Sequence, residues 1–254
     1  NYMPELPEVE VVKKSLENRL KNLTIREVVI NNNKLRYKIK NRQFYKIKGQ
    51  KIISVKRRSK YLLIHLSRDF TILAHLGMTG KFFIIDKNNN KQKTSFYYSI
   101  NKNESKHDHL TLYLDKGLKL IYNDVRKFGF LKLFETKNIY KSNHLKLLGP
   151  EPLTKEFNLN YIVKYIVNKK KKIKDLLMDQ KFVSGLGNIY CNEILFSCRL
   201  NPEKIVLKIN KKELSNIVKF TKHILKISII KGGSSIKNFA NAEGKIGRFQ
   251  QKFN

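Results

Sequence analysis

The amino-acid sequence predicts an α+β fold, in which one helix leads into an N-terminal β-sandwich and a helical domain follows. Apolar residues recur at helical spacing at the start of the chain. Beyond this first helix they occur instead in short runs of β type. Helical spacing returns after Gly149-Pro150-Glu151-Pro152, a break typical of a linker. We therefore predict a sandwich domain over 4–148, a linker over 149–153 and a helical domain over 154–254.

The first helix is predicted to begin at Pro7, because proline suits the first helical turn and Glu8 and Glu10 favour the positive end of the helix dipole. Strands at the spacing of an antiparallel sandwich follow, at residues 24–30, 51–55, 61–66, 70–75, 81–85, 110–114, 118–122 and 128–134. The polar stretch over 87–106 predicts a long surface loop.

The helical domain is predicted to contain helices at residues 156–167, 173–180, 188–198 and 211–231. In the last of these, Leu214, Ile217 and Leu225 lie on one face. We expect Gly232 and Gly233 to end this helix, because glycine commonly follows the last helical turn.

Lysine and arginine number 53 against 20 aspartates and glutamates, which gives the 254 residues a formal net charge of +33. A charge of this size favours a polyanion as partner over a purely structural role. The two cysteines, Cys191 and Cys198, exclude a disulfide framework and a four-cysteine metal site. The sequence shows neither an apolar run of about 18 residues nor a secretion signal, so we expect a cytoplasmic protein without membrane contact.

The segment Met3-Pro4-Glu5 offers a nucleophile beside an acid. If Met3 initiates translation and is then removed, Pro4 carries a free secondary amine. An α-amino group has a pKa of about 7.7–8.0, so roughly a tenth of it is neutral at pH 7. Such an amine can attack a sugar carbon and form a Schiff base, while Glu5 supplies the proton that opens the sugar ring. Taken alone, the same segment also fits an ordinary helix start.

The start Pro4-Glu5-Leu6-Pro7-Glu8-Val9-Glu10 resembles the N-terminus of the formamidopyrimidine-DNA glycosylases, the bacterial 8-oxoguanine repair enzymes. The resemblance covers about residues 4–250, and further motifs of the family recur in the same order. They are Arg57-Arg58-Ser59-Lys60-Tyr61-Leu62-Leu63, His75-Leu76-Gly77-Met78-Thr79-Gly80, Lys106-His107-Asp108-His109, Asp124-Val125-Arg126-Lys127-Phe128-Gly129, Leu148-Gly149-Pro150-Glu151-Pro152-Leu153 and Gly185-Leu186-Gly187-Asn188-Ile189-Tyr190.

This resemblance implies a bifunctional DNA glycosylase and lyase. Pro4 would attack the anomeric carbon of the damaged nucleotide and expel the base, and β- and δ-elimination would then cut the strand on both sides. Glu5 matches the family's catalytic acid, and Lys60 matches its catalytic lysine, a cation suited to a phosphate or an oxidised base. The implied partner is double-stranded DNA that contains 8-oxoguanine or formamidopyrimidines, bound by a monomer.

A base that undergoes chemistry must leave the helix stack, and the hole it leaves must be filled. By resemblance, Met78, Arg126 and Phe128 fill this void. Methionine and phenylalanine are suitable wedges between base steps, and Arg126 offers a planar donor fork to the orphaned cytosine. Without the resemblance, Met78 and Phe128 would equally fit a buried core.

Residues 181–188 resemble the family's helix–two-turn–helix, in which Gly187 lets the backbone approach DNA and Asn188 binds phosphate at a helix N-terminus. Glu193 matches a family carboxylate near the lesion pocket, and His75 and Lys174 are further DNA-binding residues implied by the match. The loop that closes over the flipped base corresponds to Gly232, Gly233, Ser234 and Ser235.

The sequence departs from the family in two places. Asn1 and Tyr2 precede Met3, and their retention would leave Pro4 an amide without a lone pair to donate, so we expect a mature chain that begins at Pro4. The family's C-terminal zinc ribbon uses four cysteines, whereas no cysteine follows Cys198 here. We therefore expect no zinc ribbon, no metal and no other cofactor in these residues. The alternating His107-Asp108-His109 is not interpreted as a metal site, because alternate strand residues face opposite sides.

Two other functions stay open at this stage. Endonuclease VIII shares the fold and prefers oxidised pyrimidines, although the Pro-Glu-Leu-Pro-Glu start and the void-filling residues favour the purine enzyme. The remaining alternative is a DNA-binding protein without catalysis.

Overall fold

The computed structural model describes residues 3–95 and 104–239. Its N-terminal part contains two short helices and the strands of two sheets: α1 (Leu6–Leu20), β1 (Ile25–Ile30), α2 (Asn41–Phe44), β2 (Ile52–Arg58), β3 (Tyr61–Leu66), β4 (Phe70–His75), β5 (Gly80–Ile85), β6 (Lys91–Lys93), β7 (Asp108–Leu114), β8 (Lys119–Asp124) and β9 (Phe130–Glu135). Its C-terminal part is helical, with α3 (Leu159–Tyr165), α4 (Ile173–Met178), α5 (Asn188–Ser197) and α6 (Lys211–Phe239).

The strands form two antiparallel sheets that enclose one hydrophobic core. One sheet has the order β1-β7-β8-β5-β6 and the other the order β2-β3-β4-β9. Side chains from both sheets and from α1 share this core, among them Val12, Leu62, Phe82 and Leu112. Complete burial of such a side chain stabilises the fold by about 1.5–3 kcal/mol. The predicted α+β class with a leading helix is confirmed.

Helix α1 begins where its sequence provides a cap. Glu5 is the N-cap in an extended conformation, and its backbone N–H donates to Oε2 of Glu8 at 3.0 Å. This bond belongs to a capping box, and it satisfies the backbone N–H of Glu5, which has no backbone partner within the helix. Pro7 follows in the first turn, where its missing N–H costs nothing.

The helical part has its own core, which includes Phe157, Leu176, Phe182 and Ile194. Helix α6 packs against both α5 and α1, so it joins the helical part to the sandwich. The division into domains over 4–148 and 154–254 stays a prediction.

The prediction that Gly232 and Gly233 end the last helix is wrong, because α6 continues to Phe239. A glycine within a helix costs about 1 kcal/mol relative to alanine, but it does not block the chain sterically as proline does. The loop predicted for Gly232, Gly233, Ser234 and Ser235 is therefore helical backbone in this structure.

Strand prediction was most accurate where β-branched and apolar residues dominate. The bounds of β3 and β4 agree with the predicted 61–66 and 70–75, whereas β2 and β7 are longer than predicted. The short strand β6 was missed within the predicted loop over 87–106, because Lys91-Gln92-Lys93 has no apolar residue to reveal a strand. Residues 96–103 of that predicted loop lie outside the described residues.

Candidate active site and DNA interface

The carboxylate of Glu5 is held at the N-terminus of α5. Its Oε2 accepts from the backbone N–H of Gly187 at 2.6 Å and of Tyr190 at 3.4 Å, and its Oε1 accepts from Ile189 at 2.9 Å. Free N–H groups and the helix dipole make such a terminus a natural site for an anion. The residue next to Pro4 is thereby fixed to a helix more than 180 residues further along the chain.

Glu5 and Lys60 meet above Gly187. A Cβ on Gly187 would lie 2.6 Å from Oε1 of Glu5 and 2.9 Å from Nζ of Lys60. Burial raises the pKa of Glu5, against the opposing effects of the Lys60 charge and the backbone hydrogen bonds. Burial likewise lowers the pKa of Lys60, although the charge of Glu5 counteracts the shift. The pKa values of both groups are thus shifted toward neutral pH, where a group can most readily donate or accept a proton.

Pro4 is buried beside this pair, and Met3 before it is half-exposed. The backbone N–H of Leu6 donates to the carbonyl oxygen of Gly185 at 3.0 Å. This bond fixes the N-terminal residues against the segment 181–188. Gly185 has φ +96°, and a Cβ there would lie 2.6 Å from the Leu6 side chain. Glycine is therefore required at position 185 by both backbone conformation and space.

A half-buried charge network fixes the turn between β2 and β3, which carries Lys60. Glu151 accepts from Nη1 of Arg57 at 2.7 Å, from Nη1 of Arg58 at 3.0 Å and from the backbone N–H of Ser59 at 2.5 Å. Arg58 also donates to the carbonyl oxygens of Leu148 and Gly149 at 3.0 and 2.6 Å. Charge-assisted bonds of this kind are strong and directional, so they hold Lys60 in place against the helical part.

The three predicted void-filling residues lie on two loops in direct contact. Gly77 has φ +58°, and a Cβ there would lie 2.5 Å from the backbone N of Gly129, so the loop that carries Met78 packs on the loop that carries Arg126 and Phe128. The Arg126 guanidinium lies 4.8 Å from the centre of the Phe128 ring. Phe128 is 46% exposed, so the core position considered for it is wrong.

One carboxylate links these two loops. Oδ1 of Asp124 accepts from Oγ1 of Thr79 at 2.5 Å, and Oδ2 accepts from the backbone N–H of Gly129 at 2.8 Å. Oγ1 of Thr79 in turn accepts from the backbone N–H of Arg126 at 2.9 Å. Asp124 is completely buried, so it positions the loops of Met78, Arg126 and Phe128 from within the sandwich. We call these three side chains the probing residues.

His75 is a neutral histidine close to Lys60. Burial, together with the charges of Lys60 and Arg36, lowers the pKa of His75 to about 4. Nδ1 of His75 accepts from the backbone N–H of Gly77 at 3.0 Å. A neutral ring that accepts at Nδ1 carries its proton on Nε2, which leaves that N–H as a donor.

The helix α5 presents the remaining predicted residues. Asn188 is its first residue and is exposed, whereas Glu193 is half-buried one turn later. Lys174 on α4 is half-buried, and its charge lies near Cys191. Burial raises the pKa of Cys191 to about 12, so this buried cysteine is a thiol rather than a nucleophile.

Among the described residues, no three histidine, cysteine or acidic side chains come together as metal ligands. Cys191 is buried in α5 and Cys198 caps its end, and two thiols do not supply a four-cysteine zinc site. The residues of this chain therefore do not fit the family's zinc ribbon.

Three features of the site were not found from the sequence. Glu151 was interpreted as part of a linker, and Asp124 as part of a motif without a role, because each acts on groups that only the fold brings near. A third is His109, which is completely buried at a β-bulge between β7 and β8. Its ring nitrogens lie 2.9 Å from the carbonyl oxygen of Asn32 and 3.0 Å from that of Asp124. Bulges commonly re-aim a side chain in this way beside a site.

A sandwich and a helical part that meet at a buried acid and a lysine close to Pro4 are typical of a DNA glycosylase. The sequence matches the family model of the formamidopyrimidine-DNA glycosylase N-terminal domain over residues 3–131 and that of the formamidopyrimidine-DNA glycosylase H2TH domain over residues 148–240. The chain belongs to the formamidopyrimidine-DNA glycosylase family, whose members act in DNA repair.

Curated relatives and solved structures agree with this assignment. The chain is 39% identical to the formamidopyrimidine-DNA glycosylase of Rickettsia bellii (strain OSU 85-389) over 250 residues, which cover 98% of this chain and 86% of that protein. Its identity to the Bartonella tribocorum enzyme is also 39%, over 99% of this chain and 88% of that one.

Among solved structures, the Lactococcus lactis formamidopyrimidine-DNA glycosylase bound non-covalently to DNA with an abasic site matches with a TM-score of 0.78 and 32% identity, over 97% of this chain and 85% of that one. The same enzyme with DNA that contains a formamidopyrimidine lesion matches with a TM-score of 0.77 and 32% identity, over 95% and 84% of the two chains. In the described part of the chain, no helix is both long and apolar enough to span a bilayer.

Proposed function

We propose that this chain removes oxidised purines from duplex DNA and then cleaves the strand, through a Schiff base on Pro4. The observation that carries the proposal is the pairing of Glu5 with Lys60 beside the buried Pro4, at the N-terminus of α5. The relatives' names and the lesion-containing DNA in the matching structures support duplex DNA with damaged purines as the ligand.

In the proposed reaction, the neutral amine of Pro4 attacks C1′ of the damaged nucleotide. The bond from C1′ to the base breaks, and the base leaves with the electron pair and gains a proton. Glu5 then donates a proton to the ring oxygen as the C1′–O4′ bond breaks, which yields the iminium. Burial suits Glu5 to this step, because it raises the pKa of the group and so favours its protonated form.

The iminium acidifies the C2′ proton. Its loss expels the 3′ phosphate in β-elimination, and a second elimination expels the 5′ phosphate. Lys60 is placed to neutralise a phosphate or to contact the damaged base, and the Nε2–H of His75 is a second donor nearby. Water then adds to C1′ and the C1′–N bond breaks, which releases the sugar remnant as an aldehyde and regenerates the Pro4 amine. We propose that these residues work without a cofactor.

The probing residues supply specificity in this proposal. Met78 and Phe128 enter the gap that the flipped base leaves, and Arg126 pairs with the orphaned cytosine. Asn188, Gly187, Lys174 and Glu193 line the α5 side, where the side-chain amide of the exposed Asn188 and the ammonium group of Lys174 can donate to a phosphate.

Borohydride trapping tests the proposal directly, because it converts the Schiff base to a stable adduct. We compare protein that begins at Pro4 with matched protein that retains Asn1-Tyr2-Met3 and so lacks the free amine. An adduct on an 8-oxoguanine:C duplex is expected only for the first form, and mass spectrometry of native protein should show Pro4 first.

The outcome also separates the alternative functions. A dominant adduct on thymine-glycol duplexes would instead show the specificity of endonuclease VIII. Binding without an adduct on any substrate, in the form that begins at Pro4, would overturn the proposed catalysis and leave a DNA-binding protein.

A further inference from the structure

A basic cleft lies beside the probing loops, between residues 36–40 and strand β9. Its volume is about 610 Å³, and Arg36, Lys38, Lys40 and Lys132 line it. Its floor is apolar and includes the buried Phe44. The cleft is therefore a concave site with cations at its walls, of which Arg36, Lys38 and Lys40 are exposed and Lys132 is half-buried.

These cations lack acidic partners. In the described part of the chain, no carboxylate forms an ion pair with Arg36, Lys38, Lys40 or Lys132. Burial and the charges of Lys40 and Arg36 lower the pKa of Lys132, so the positive groups repel one another across the cleft. An anion that entered would relieve this repulsion.

Lys132 is held in position for such a contact. Its Nζ lies 3.7 Å from the centre of the Tyr37 ring and 2.9 Å from Nε2 of His144. Burial and the Lys132 charge lower the pKa of His144, so the histidine accepts from the ammonium group. Packing of this kind reduces the side-chain entropy that a flexible lysine would lose on binding.

The cleft is connected to the candidate active site by one backbone hydrogen bond and by a ring cluster around the buried Phe130. The backbone N–H of Arg36 donates to the carbonyl oxygen of Gly129 at 3.2 Å, one residue after Phe128. The Phe130 ring stacks on His75 at 5.6 Å and lies 5.1 Å from the Tyr37 ring, so one ring cluster joins the cleft to the site.

We propose that this cleft binds a phosphodiester of the duplex on one side of the lesion, with Lys132 and Arg36 as the donors to the phosphate. The inference rests on the proposed function, because it takes duplex DNA as the ligand. It adds a contact outside the lesion pocket, and each phosphate so neutralised steepens the salt dependence of binding.

Fluorescence anisotropy on duplexes with a central abasic analogue tests this inference. The base pairs on one side of the analogue form one arm of the duplex. One arm is shortened at a time, which gives a series of duplexes with different arm lengths on each side. Lys132→Gln and Arg36→Gln should each weaken binding to the longest duplex about threefold to tenfold at 100 mM salt and reduce the slope of log K against log salt by about 0.9. The effect should vanish when one particular arm is shortened, and Lys132→Arg should restore binding.

Lys119→Gln is the matched control, because Lys119 also lies over a tyrosine ring, 5.3 Å from the centre of Tyr113, but on the other sheet. It should bind like wild type on every duplex. Wild-type affinity and salt slope in both cleft variants would overturn the inference, as would a loss that is independent of arm length.

Borohydride trapping of the same variants distinguishes the two proposals, on the shortest duplex with an 8-oxoguanine:C pair in place of the abasic analogue. Normal trapping together with an arm-dependent loss of binding affinity in the cleft variants supports both the proposed catalysis and the cleft inference. Arm-dependent loss with no trapping, even in wild type, would refute the proposed catalysis while the cleft inference stands.

Discussion

Gly187 determines how closely an acid and a cation approach each other in the site. Its missing side chain leaves the space in which Glu5 and Lys60 meet, while its N–H binds the carboxylate. The backbone at this position is extended, with φ −134°, so space rather than conformation requires glycine. Substitution at position 187 should therefore affect the chemistry more than the fold.

We expect Gly187→Ala to lower kcat/KM on a lesion duplex by about 100-fold, because the new methyl group displaces both side chains and small displacements are costly in catalysis. Single-turnover cleavage measures the effect. Gly49→Ala is the control, because a Cβ there meets nothing within 4 Å although φ is +82°. It should cost about 1 kcal/mol of stability and leave cleavage unchanged. Equal activity losses in the two variants would contradict this explanation.

His75 links the site to stability at acid pH. The pKa of this group falls from 6.5 to about 4 in the fold, so between these values the unfolded chain binds a proton that the folded protein excludes. The free energy of unfolding must therefore decrease as the pH falls from 6.5 to 4. Protonation would also break the hydrogen bond from Gly77 to Nδ1.

Urea unfolding across this pH range should show that His75→Gln loses less stability than wild type, by up to about 3 kcal/mol. His223→Gln, in the exposed part of α6, should follow the wild-type curve. Parallel curves for wild type and His75→Gln would refute the assigned pKa.

Two loops at the sandwich edge act as one unit because Asp124 bonds to both. The loop after β4 carries Met78, and the loop after β8 carries Arg126 and Phe128. The bulge at His109 supports the same region, since its ring reaches the carbonyl oxygen of Asp124. The placement of Met78, Arg126 and Phe128 thus depends on two completely buried side chains, Asp124 and His109.

Asp124→Ala should lower kcat/KM on a lesion duplex about tenfold to 100-fold, because the probing residues lose their placement. Cleavage of a preformed abasic site in single-stranded DNA should change less than about threefold, because that substrate needs no void filling. Asp124→Asn, which keeps an acceptor for Gly129, should be intermediate. Equal losses on both substrates would show that Asp124 has only a structural role.

At the level of these elements, sequence patterns were informative where periodicity and burial coincide. Strands β3 and β4 were predicted residue for residue, and the motifs located Glu5, Lys60 and α5. The end of α6 was missed because glycine only weakens a helix, and β6 because its residues are polar. Glu151 was missed because its partners lie more than 90 residues away in the chain.

The whole molecule depends on a network that crosses from the sandwich to the helical part. Glu151 receives hydrogen bonds from three consecutive residues of the sandwich, and Arg58 extends the network to Ser184 at 2.7 Å. Loss of one partner would leave arginine charges partly buried without compensation, which is costly.

Glu151→Gln should therefore lower the free energy of unfolding by about 2–3 kcal/mol. Glu203→Gln, which removes an exposed ion pair with Lys172, is the control and should cost less than about 1 kcal/mol. Urea denaturation measures both. Equal effects would mean that the Glu151 network contributes no more than a surface pair.

The attachment of Glu5 to residues 187–190 also has a consequence for biosynthesis. At a bacterial translation rate of about 5–20 residues per second, the nascent terminus waits roughly ten to forty seconds before its receptor helix leaves the ribosome. During that interval the first residues remain accessible to peptidases that trim the chain. A ribosome that stalls before residue 187 would release a fragment in which the Glu5 carboxylate lacks the N–H groups that hold it in the folded protein.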